Sequence, residues 1–221
     1  MTGISLLTLT QKILRRASFA KLDVNCLNCL EYQPAEGKVA PVDDAILVRE
    51  AIPADIDRMA ECGNFPERLS ERFAAHEHCA VGISGDKVVG YQWFCDKSLR
   101  IEERYGYTVE IPSDAVYGYD AFVLPHHRRA KVWTQFHTQY LKGLLGSLGR
   151  NRVIVMVDQN NNVSMKAHLS LGYRLYRKVY IFVVFGKCLW ITKASRSKRL
   201  MHVFRPTSST DAPKQVTSFV Q

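Results

Sequence analysis

The chain has 221 residues, which is enough for one ordinary domain and too short for two. Its hydrophobic fraction of 47% and charged fraction of 23% are close to globular averages and exclude collagen-like, disordered and membrane-bundle proteins. The 30 Lys+Arg against 21 Asp+Glu give a net charge of +9, which favours anionic partners, but much of this excess lies after residue 192.

The first 45 residues are predicted to be an extension of the domain. Leu6, Leu9 and Ile13 fall on one face of an amphipathic helix, an extended segment follows, and residues 34–44 have the composition of a linker. Such a helix packs more often on its own domain than on a membrane. Peripheral contact with an anionic membrane, through this helix or the basic tail, remains an alternative.

The six cysteines contain a single C-x-x-C, formed by Cys26 and Cys29. No second pair and no histidine follows at zinc spacing, so we expect no metal. Free cysteines suit a reducing compartment, and the N-terminus lacks the charge-then-apolar order of a signal peptide. We therefore expect a cytoplasmic protein.

Regular elements follow from residue 46 onward. They are, in order, a strand over 46–49, helices starting at Pro53 and Asn64, a hairpin of strands over 79–83 and 87–94, an irregular insertion over 96–113, a strand over 116–124, a helix over 129–148, a strand over 153–157, a helix over 162–171 and a strand over 173–185. This order predicts a mixed α/β sheet in one domain over 46–188, followed by a basic, partly disordered tail over 189–221.

The first motif is a strand that breaks at Pro125 and passes directly into a helix. Proline at a strand end gives up a ladder hydrogen bond and turns the chain. Unpaired N–H groups at the start of the next helix, with Arg128, Arg129 and Lys131 beside them, suit a pyrophosphate. An ordinary strand–turn–helix with a basic surface explains this stretch equally well.

The second motif is Asn161-x-x-Ser164-x-x-x-His168-x-x-x-Gly172-Tyr173, directly after the β-branched strand over 153–157. Ser164 and His168 lie one turn apart on a helix and share a face. Gly172 is placed where a helix C-terminus needs a left-handed residue.

Together the two motifs resemble those of the GNAT acyltransferase superfamily. In that superfamily a strand ending V-x-P-x-x-R-G-x-G leads into the helix that holds the CoA pyrophosphate, and N-x-x-A/S-x-x-x-Y-x-x-x-G-F/Y follows the next strand. The resemblance extends over about 140 residues, close to a full domain. It implies an α/β (α+β) fold with a mixed, mostly antiparallel central sheet and helices on both faces.

The resemblance also implies acetyl-CoA as co-substrate and roles for particular residues. Those implied to contact the cofactor are Phe122, Val123, Leu124, Arg128, Arg129, Ala130, Lys131, Val132, Asn161 and Ser164. Asp120 is implied as the base that takes a proton from the acceptor, and His168 as the donor to the departing thiolate. A structural ion pair for Asp120 and a packed core position for His168 are the open alternatives.

The first motif departs from the family pattern at its glycines, which fall on Arg129 and Lys131, with Trp133 in place of a small residue. Glycine there allows close approach to phosphate and a positive φ. Unless residues 129–133 are helical, Lys131 and Trp133 would obstruct the cofactor.

The leading functional hypothesis is transfer of an acetyl group to an amine of a small molecule, a sugar nucleotide or a peptide. The alternatives are a transferase for longer acyl or aminoacyl groups, and a non-catalytic GNAT-like binding module. Nucleic-acid binding ranks low because the basic tail lacks interleaved aromatic residues.

Overall fold

The computed structural model describes residues 6–17, 22–34, 45–102, 105–185, 187–194 and 200–203. Residues 35–44 of the predicted linker and most of the predicted tail lie outside these ranges. The helices are α1 Leu6–Ala17, α2 Ile56–Ala60, α3 Pro66–Ala74, α4 Val132–Gln135, α5 Lys142–Ser147 and α6 Asn162–Leu171. Within the described ranges, none is long and apolar enough to cross a membrane.

In the described ranges, nine strands form one sheet and two more form a separate small one. The strands are β1 Leu22–Tyr32, β2 Leu47–Glu50, β3 His78–Ser84, β4 Lys87–Cys95, β5 Leu99–Glu102, β6 Tyr107–Glu110, β7 Ala115–Val123, β8 Arg152–Asp158, β9 Arg174–Val184, β10 Lys187–Ala194 and β11 Leu200–Val203. The large sheet has the order β11-β10-β9-β1-β8-β7-β4-β3-β2, and β5 pairs with β6. Of the neighbouring pairs, β7 and β8 run parallel and the others antiparallel, which confirms the predicted mixed, mostly antiparallel sheet.

The N-terminal segment is part of the sheet, which corrects the boundary predicted at residue 46. Strand β1 pairs with β8 on one side, from Leu27 to Tyr32, and with β9 on the other, from Leu22 to Glu31. Most of its side chains are buried, because both faces of the sheet are covered there. The domain therefore includes β1, although the linker-like composition of residues 34–44 predicts that the segment before them is an extension.

Cys26 and Cys29 both lie on β1, where an odd separation places them on opposite faces. Both thiols are free and buried, and burial raises the pKa of each to about 11. This position does not suit a redox pair, because reactive cysteines need a lowered pKa and some exposure.

Helices cover the sheet on both faces. One face carries α4, α5 and α6 over a core that includes Leu30, Val116, Phe136 and Val155. The opposite face carries α2 and α3, whose Met59 and Leu69 pack in one cluster with Trp93 of β4. The β5–β6 hairpin, within the predicted insertion, covers the remainder of that second face with the buried residues Tyr105, Tyr107 and Val109.

The helix predicted over residues 129–148 begins later and is irregular. Pro125–Ala130 is a 3-10 turn, Lys131 has φ 55° in the left-handed region, and α4 begins at Val132. A π-helical segment, Phe136–Leu141, joins α4 to α5, so the helix is continuous from Val132 to Ser147. Residues 129–133 are thus not simply helical, and Lys131, at the position of the second loop glycine in the family pattern, has a positive φ.

Candidate functional site

Strands β7 and β8 separate halfway along their length. Their parallel pairing runs from Ala115 with Arg152 to Gly118 with Val155. Beyond that point β7 stays paired with β4 as far as Val123, while β8 stays paired with β1 as far as Asp158. Beyond Gly118 and Val155 no ladder pairs join the two strands, and we call the region between their C-terminal halves the gap.

The separation begins at a β-bulge in β7. Ala121 pairs with Gln92 and Tyr119 with Trp93, so Asp120 is the extra residue, and its φ is 41°. A bulge strengthens the local twist and leaves its extra residue outside the ladder. This is a physical reason for β7 to leave β8 at this position.

Backbone groups of β7 face the gap beyond the bulge. The amide of Leu124 donates to Val89 of β4 at 2.9 Å, and its carbonyl accepts from His127 at 2.9 Å. In an antiparallel ladder the bonding direction alternates, so Val123 points its N–H and C=O away from β4. The resemblance implies that Val123 and Leu124 both contact the cofactor. In the structure, Val123 is the one of the two whose backbone groups point away from β4, toward the gap. The Val123 carbonyl already accepts from Nε of Arg128 at 3.2 Å.

The helix that begins at Val132 supplies the amides of the first motif. With Lys131 as its N-cap and no side-chain cap, the first-turn N–H groups start at Val132 rather than within residues 128–131. The side chains of Arg128 and Lys131 are exposed, whereas Val132 is buried against β3. A Cβ at Gly82 of β3 would approach Val132 Cγ1 to 2.8 Å, so a glycine is required for this close packing.

The second motif forms α6 over the predicted residues. The Asn161 side chain is the N-cap and accepts from the Ser164 amide at 3.0 Å. Gly172 ends the helix with φ 108°, as predicted. The amide oxygen of Asn161 is therefore occupied by its own helix, and the side-chain nitrogen is the group left to contact a ligand.

His168 is buried, and its ring is fixed by its contacts. Its Nδ1 lies 2.7 Å from the carbonyl oxygen of Ser164, to which only a protonated Nδ1 can donate. Burial lowers the pKa of His168 to about 4, so the ring is neutral at pH 7 and Nε2 carries a lone pair. This geometry favours the packed-core alternative over proton donation.

Trp133 joins the two motifs. Its ring centroid lies 4.6 Å from that of His168 on α6 and 4.3 Å from that of His137. His137 is fully buried, Nε2 lies 2.6 Å from the Tyr173 hydroxyl, and burial lowers the pKa of His137 to about 3. The aromatic side chain where the family has a small residue thus packs sideways against α6.

Asp120 forms an ion pair with Arg72 of α3. The Arg72 side chain is only 8% exposed, and its guanidinium lies 5.2 Å from the Trp93 ring and 5.0 Å from the Tyr119 ring. A buried cation held by two rings fixes the carboxylate that it pairs with. Arg72 is therefore the positioning partner of Asp120.

A cavity of about 300 Å³ lies beside this ion pair and is lined by Arg68, Glu71, Arg72, Ala75, Glu77 and Arg100. We call it the arginine–carboxylate cavity. Sequence reasoning missed all of these residues. A signal was present, because positions 68, 71, 72 and 75 have the i, i+3, i+4, i+7 spacing of one helical face and three of them are charged.

The structure brings the predicted residues together in two groups. Asp120, Val123 and Val132 lie along β7 and the helix that follows it. Ser164 and His168 lie on α6 after β8, with Asn161 as its N-cap. Arg129 and Ala130 fall in the 3-10 turn between β7 and α4. The two groups border the gap where β7 and β8 separate.

No family model and no curated protein matches this chain. Solved structures do match its fold. A conserved protein of unknown function from Staphylococcus epidermidis ATCC 12228 superposes with a TM-score of 0.56 at 10% identity, covering 83% of this chain and 68% of that one.

Two further matches carry GNAT names. A tandem GNAT protein from the clavulanic acid biosynthesis pathway gives a TM-score of 0.55 at 11% identity, covering 83% of this chain. A GCN5-related N-acetyltransferase from Kribbella flavida gives 0.52 at 11% identity, covering 76%. The chain spans 58% and 62% of those two proteins, respectively. At such low identity the likeness concerns the fold, and it agrees with the two sequence motifs: this chain has the fold of the GNAT acetyltransferases.

Proposed function

We propose that this chain transfers an acyl group, most simply acetyl, from acyl-CoA to an amine acceptor by direct attack. The observation that carries the proposal is the gap between β7 and β8, with a helix N-terminus after one strand and a bulged, ion-paired carboxylate where the gap begins. A cofactor strand, an anion site and a base are the three parts that this reaction needs.

The residues around the gap fit the chemistry of CoA. First-turn amides from Val132 onward would hold the diphosphate, with Arg128 and Lys131 as exposed cations beside it. The backbone of Val123 would pair with the pantetheine amides in place of the missing β8 neighbour. Asn161 and Ser164 border the gap from α6, and Phe122, Arg129 and Ala130 would contribute backbone contacts.

In the proposed reaction Asp120 accepts the proton of the acceptor ammonium, directly or through water. The amine nitrogen then bonds to the thioester carbonyl carbon, and the carbon–sulfur bond breaks to release the CoA thiolate. The second proton that the nitrogen loses passes through water to this thiolate, which leaves as the CoA thiol. Backbone N–H groups freed from the ladder by the bulge would polarise the carbonyl. His168 would line the thioester end of the gap without donating a proton, since its Nδ1 proton is directed at the Ser164 carbonyl oxygen.

A specific observation favours a second candidate, a binding module without catalysis. Lys131 has the left-handed φ for which the family pattern has glycine, and Trp133 spans from α4 to His168 on α6. Both features place a larger residue where the family pattern has a small one. A module of this kind would retain the fold without turning over acyl-CoA.

A binding assay and a turnover assay distinguish the candidates. We expect acetyl-CoA to raise the melting temperature by mass action, and amines to release thiol from it. Replacing Asp120 with Asn is expected to lower kcat/KM by roughly 100-fold while acetyl-CoA still binds. Lys142→Gln, an exposed change on α5, is the control.

Two results would contradict the proposal in different ways. Binding of acetyl-CoA without thiol release from any amine or acyl-CoA tested would favour the binding module. An absence of any acyl-CoA binding would remove the transferase and leave the binding module.

A further inference from the structure

We propose that the acceptor is a small zwitterion, a molecule with a carboxylate close to its amino group, and that it binds in the arginine–carboxylate cavity with Arg68 as its carboxylate ligand. This inference rests on the proposed function and specifies its substrate class.

The cavity lies next to the predicted base. Arg72 lines it and also forms the ion pair with Asp120, so an amine at the Asp120 end would sit beside the start of the gap. The lining comes from one face of α3, from Glu77 just after that helix and from Arg100 on β5. Two separate elements thus border an open depression beside Arg72, the ion-pair partner of the predicted base.

The charged groups of the cavity are held rigidly. The side chain of Glu77 is 8% exposed, and it forms an ion pair with Arg100 and accepts a hydrogen bond from the Tyr119 hydroxyl. The Arg100 guanidinium lies 3.5 Å from the Tyr119 ring centroid, and the Arg72 guanidinium lies 5.0 Å from the same centroid. Preorganised groups lose little conformational entropy on binding, which is typical of built sites.

The balance of charges selects the ligand. The lining has the three guanidinium groups of Arg68, Arg72 and Arg100 and the two carboxylates of Glu71 and Glu77. Asp120, which pairs with Arg72 beside the lining, is the third carboxylate. A polycationic acceptor would meet three guanidinium groups, and a phosphorylated acceptor would meet three carboxylates. A molecule with one positive and one negative group matches both sets, because each of its charges finds an opposite one.

Size and orientation agree with this match. A volume of about 300 Å³ lies at the small end of ligand sites, and Ala75 is the sole apolar residue of the lining. Arg68 lies one helical turn before Arg72, on the same face of α3. With the amine directed at Asp120, the carboxylate would therefore point along α3 toward Arg68.

The test compares amino acids with the same molecules lacking the carboxylate: L-serine with ethanolamine, L-histidine with histamine, and L-lysine with cadaverine. Binding is measured by calorimetry without CoA, and turnover by thiol release from acetyl-CoA. We expect at least one amino acid to bind about tenfold tighter than its partner amine. Arg68→Gln should remove this difference and leave amine binding within twofold, whereas the exposed Arg174→Gln should change neither.

Each outcome decides a different claim. Equal affinity for every amino acid and its amine, or an equal loss of both in Arg68→Gln, would overturn the zwitterion inference. Thiol release with amines alone would overturn it too, while the transferase proposal stands. Amino-acid binding that depends on Arg68 without thiol release would support the cavity assignment and count against the transferase.

Discussion

Two neutral histidines at the centre of the site make the protein sensitive to acid. Burial lowers the pKa of His168 to about 4 and that of His137 to about 3, below the value of about 6.5 for an unfolded chain. The unfolded state therefore binds more protons as the pH falls below 6.5, and folding stability decreases. The packing of Trp133 between these rings is coupled to that loss.

We predict that His168→Gln reduces the pH dependence of stability by about one proton between pH 6.5 and 4. The contribution of His168 at neutral pH, about 3 kcal/mol, is fully present above 6.5 and lost on acidification toward pH 4. Urea unfolding at a series of pH values measures it. Ser170→Gln on the exposed side of α6 should keep the full slope; an unchanged slope in His168→Gln would show that His168 is not buried neutral.

Lys131 provides a second residue-scale test. A side chain in the left-handed region costs about 1 kcal/mol, and its φ of 55° is one that glycine adopts freely. Lys131→Gly is therefore expected to keep or slightly raise the melting temperature. The matched change Lys142→Gly, in the helical conformation of α5, should lower stability by about 1 kcal/mol. Equal destabilisation by both changes would contradict the left-handed conformation.

At the scale of elements, the site depends on how closely the helix from Val132 to Ser147 approaches β3. Val132 contacts Gly82 without intervening atoms, and this contact sets the position of the first-turn amides. The π-helical segment shifts the register of the same helix by inserting extra residues in its turns. Substitutions in β3 at the contact with Val132 should therefore affect cofactor binding as well as stability.

We predict that Gly82→Ala lowers the free energy of unfolding by roughly 1–3 kcal/mol and weakens acetyl-CoA binding, because the new Cβ would lie 2.8 Å from Val132 Cγ1. Gly143→Ala is the matched control, since its Cβ meets nothing within 4 Å and alanine favours a helix. It should stabilise the protein by up to about 1 kcal/mol. Denaturant unfolding measures the stability, and calorimetry measures acetyl-CoA binding. Unchanged stability and binding in Gly82→Ala would contradict the close packing of Val132 on β3.

For the whole molecule, the decisive feature is that a strand from the N-terminus lies inside the sheet. Strand β1 separates β8 from β9 and contributes Leu30 to the main core. Removing it would leave two unpaired strand edges in the middle of a nine-stranded sheet. The protein is expected to fold as one unit from β1 to at least β9.

We predict that a chain starting at Ala45 does not fold on its own, because it lacks β1. A chain starting at residue 18 keeps β1 and loses α1, whose Leu9 and Ile13 are exposed, so it should remain folded with a lower melting temperature. Near-UV circular dichroism and hydrogen exchange report both. A cooperative unfolding transition in the shorter chain would show that β1 is dispensable.

Much of the local structure follows from sequence patterns. Apolar residues at steps of four predicted the helix after β7, the β-branched run predicted β8, and Gly172 predicted the end of α6. These signals are local, since each reflects one face of one element or the conformation of one residue. The order of these elements along the chain in turn predicted the mixed sheet.

Only the tertiary structure decided the contacts between distant segments. The insertion of β1 between β8 and β9, the pairing of Arg72 with Asp120 and the contact of Trp133 with His168 join residues far apart in sequence. A strand buried on both faces looks the same in sequence whichever neighbours it has. Likewise, Lys131 adopts the left-handed conformation although lysine, unlike glycine, does not favour it.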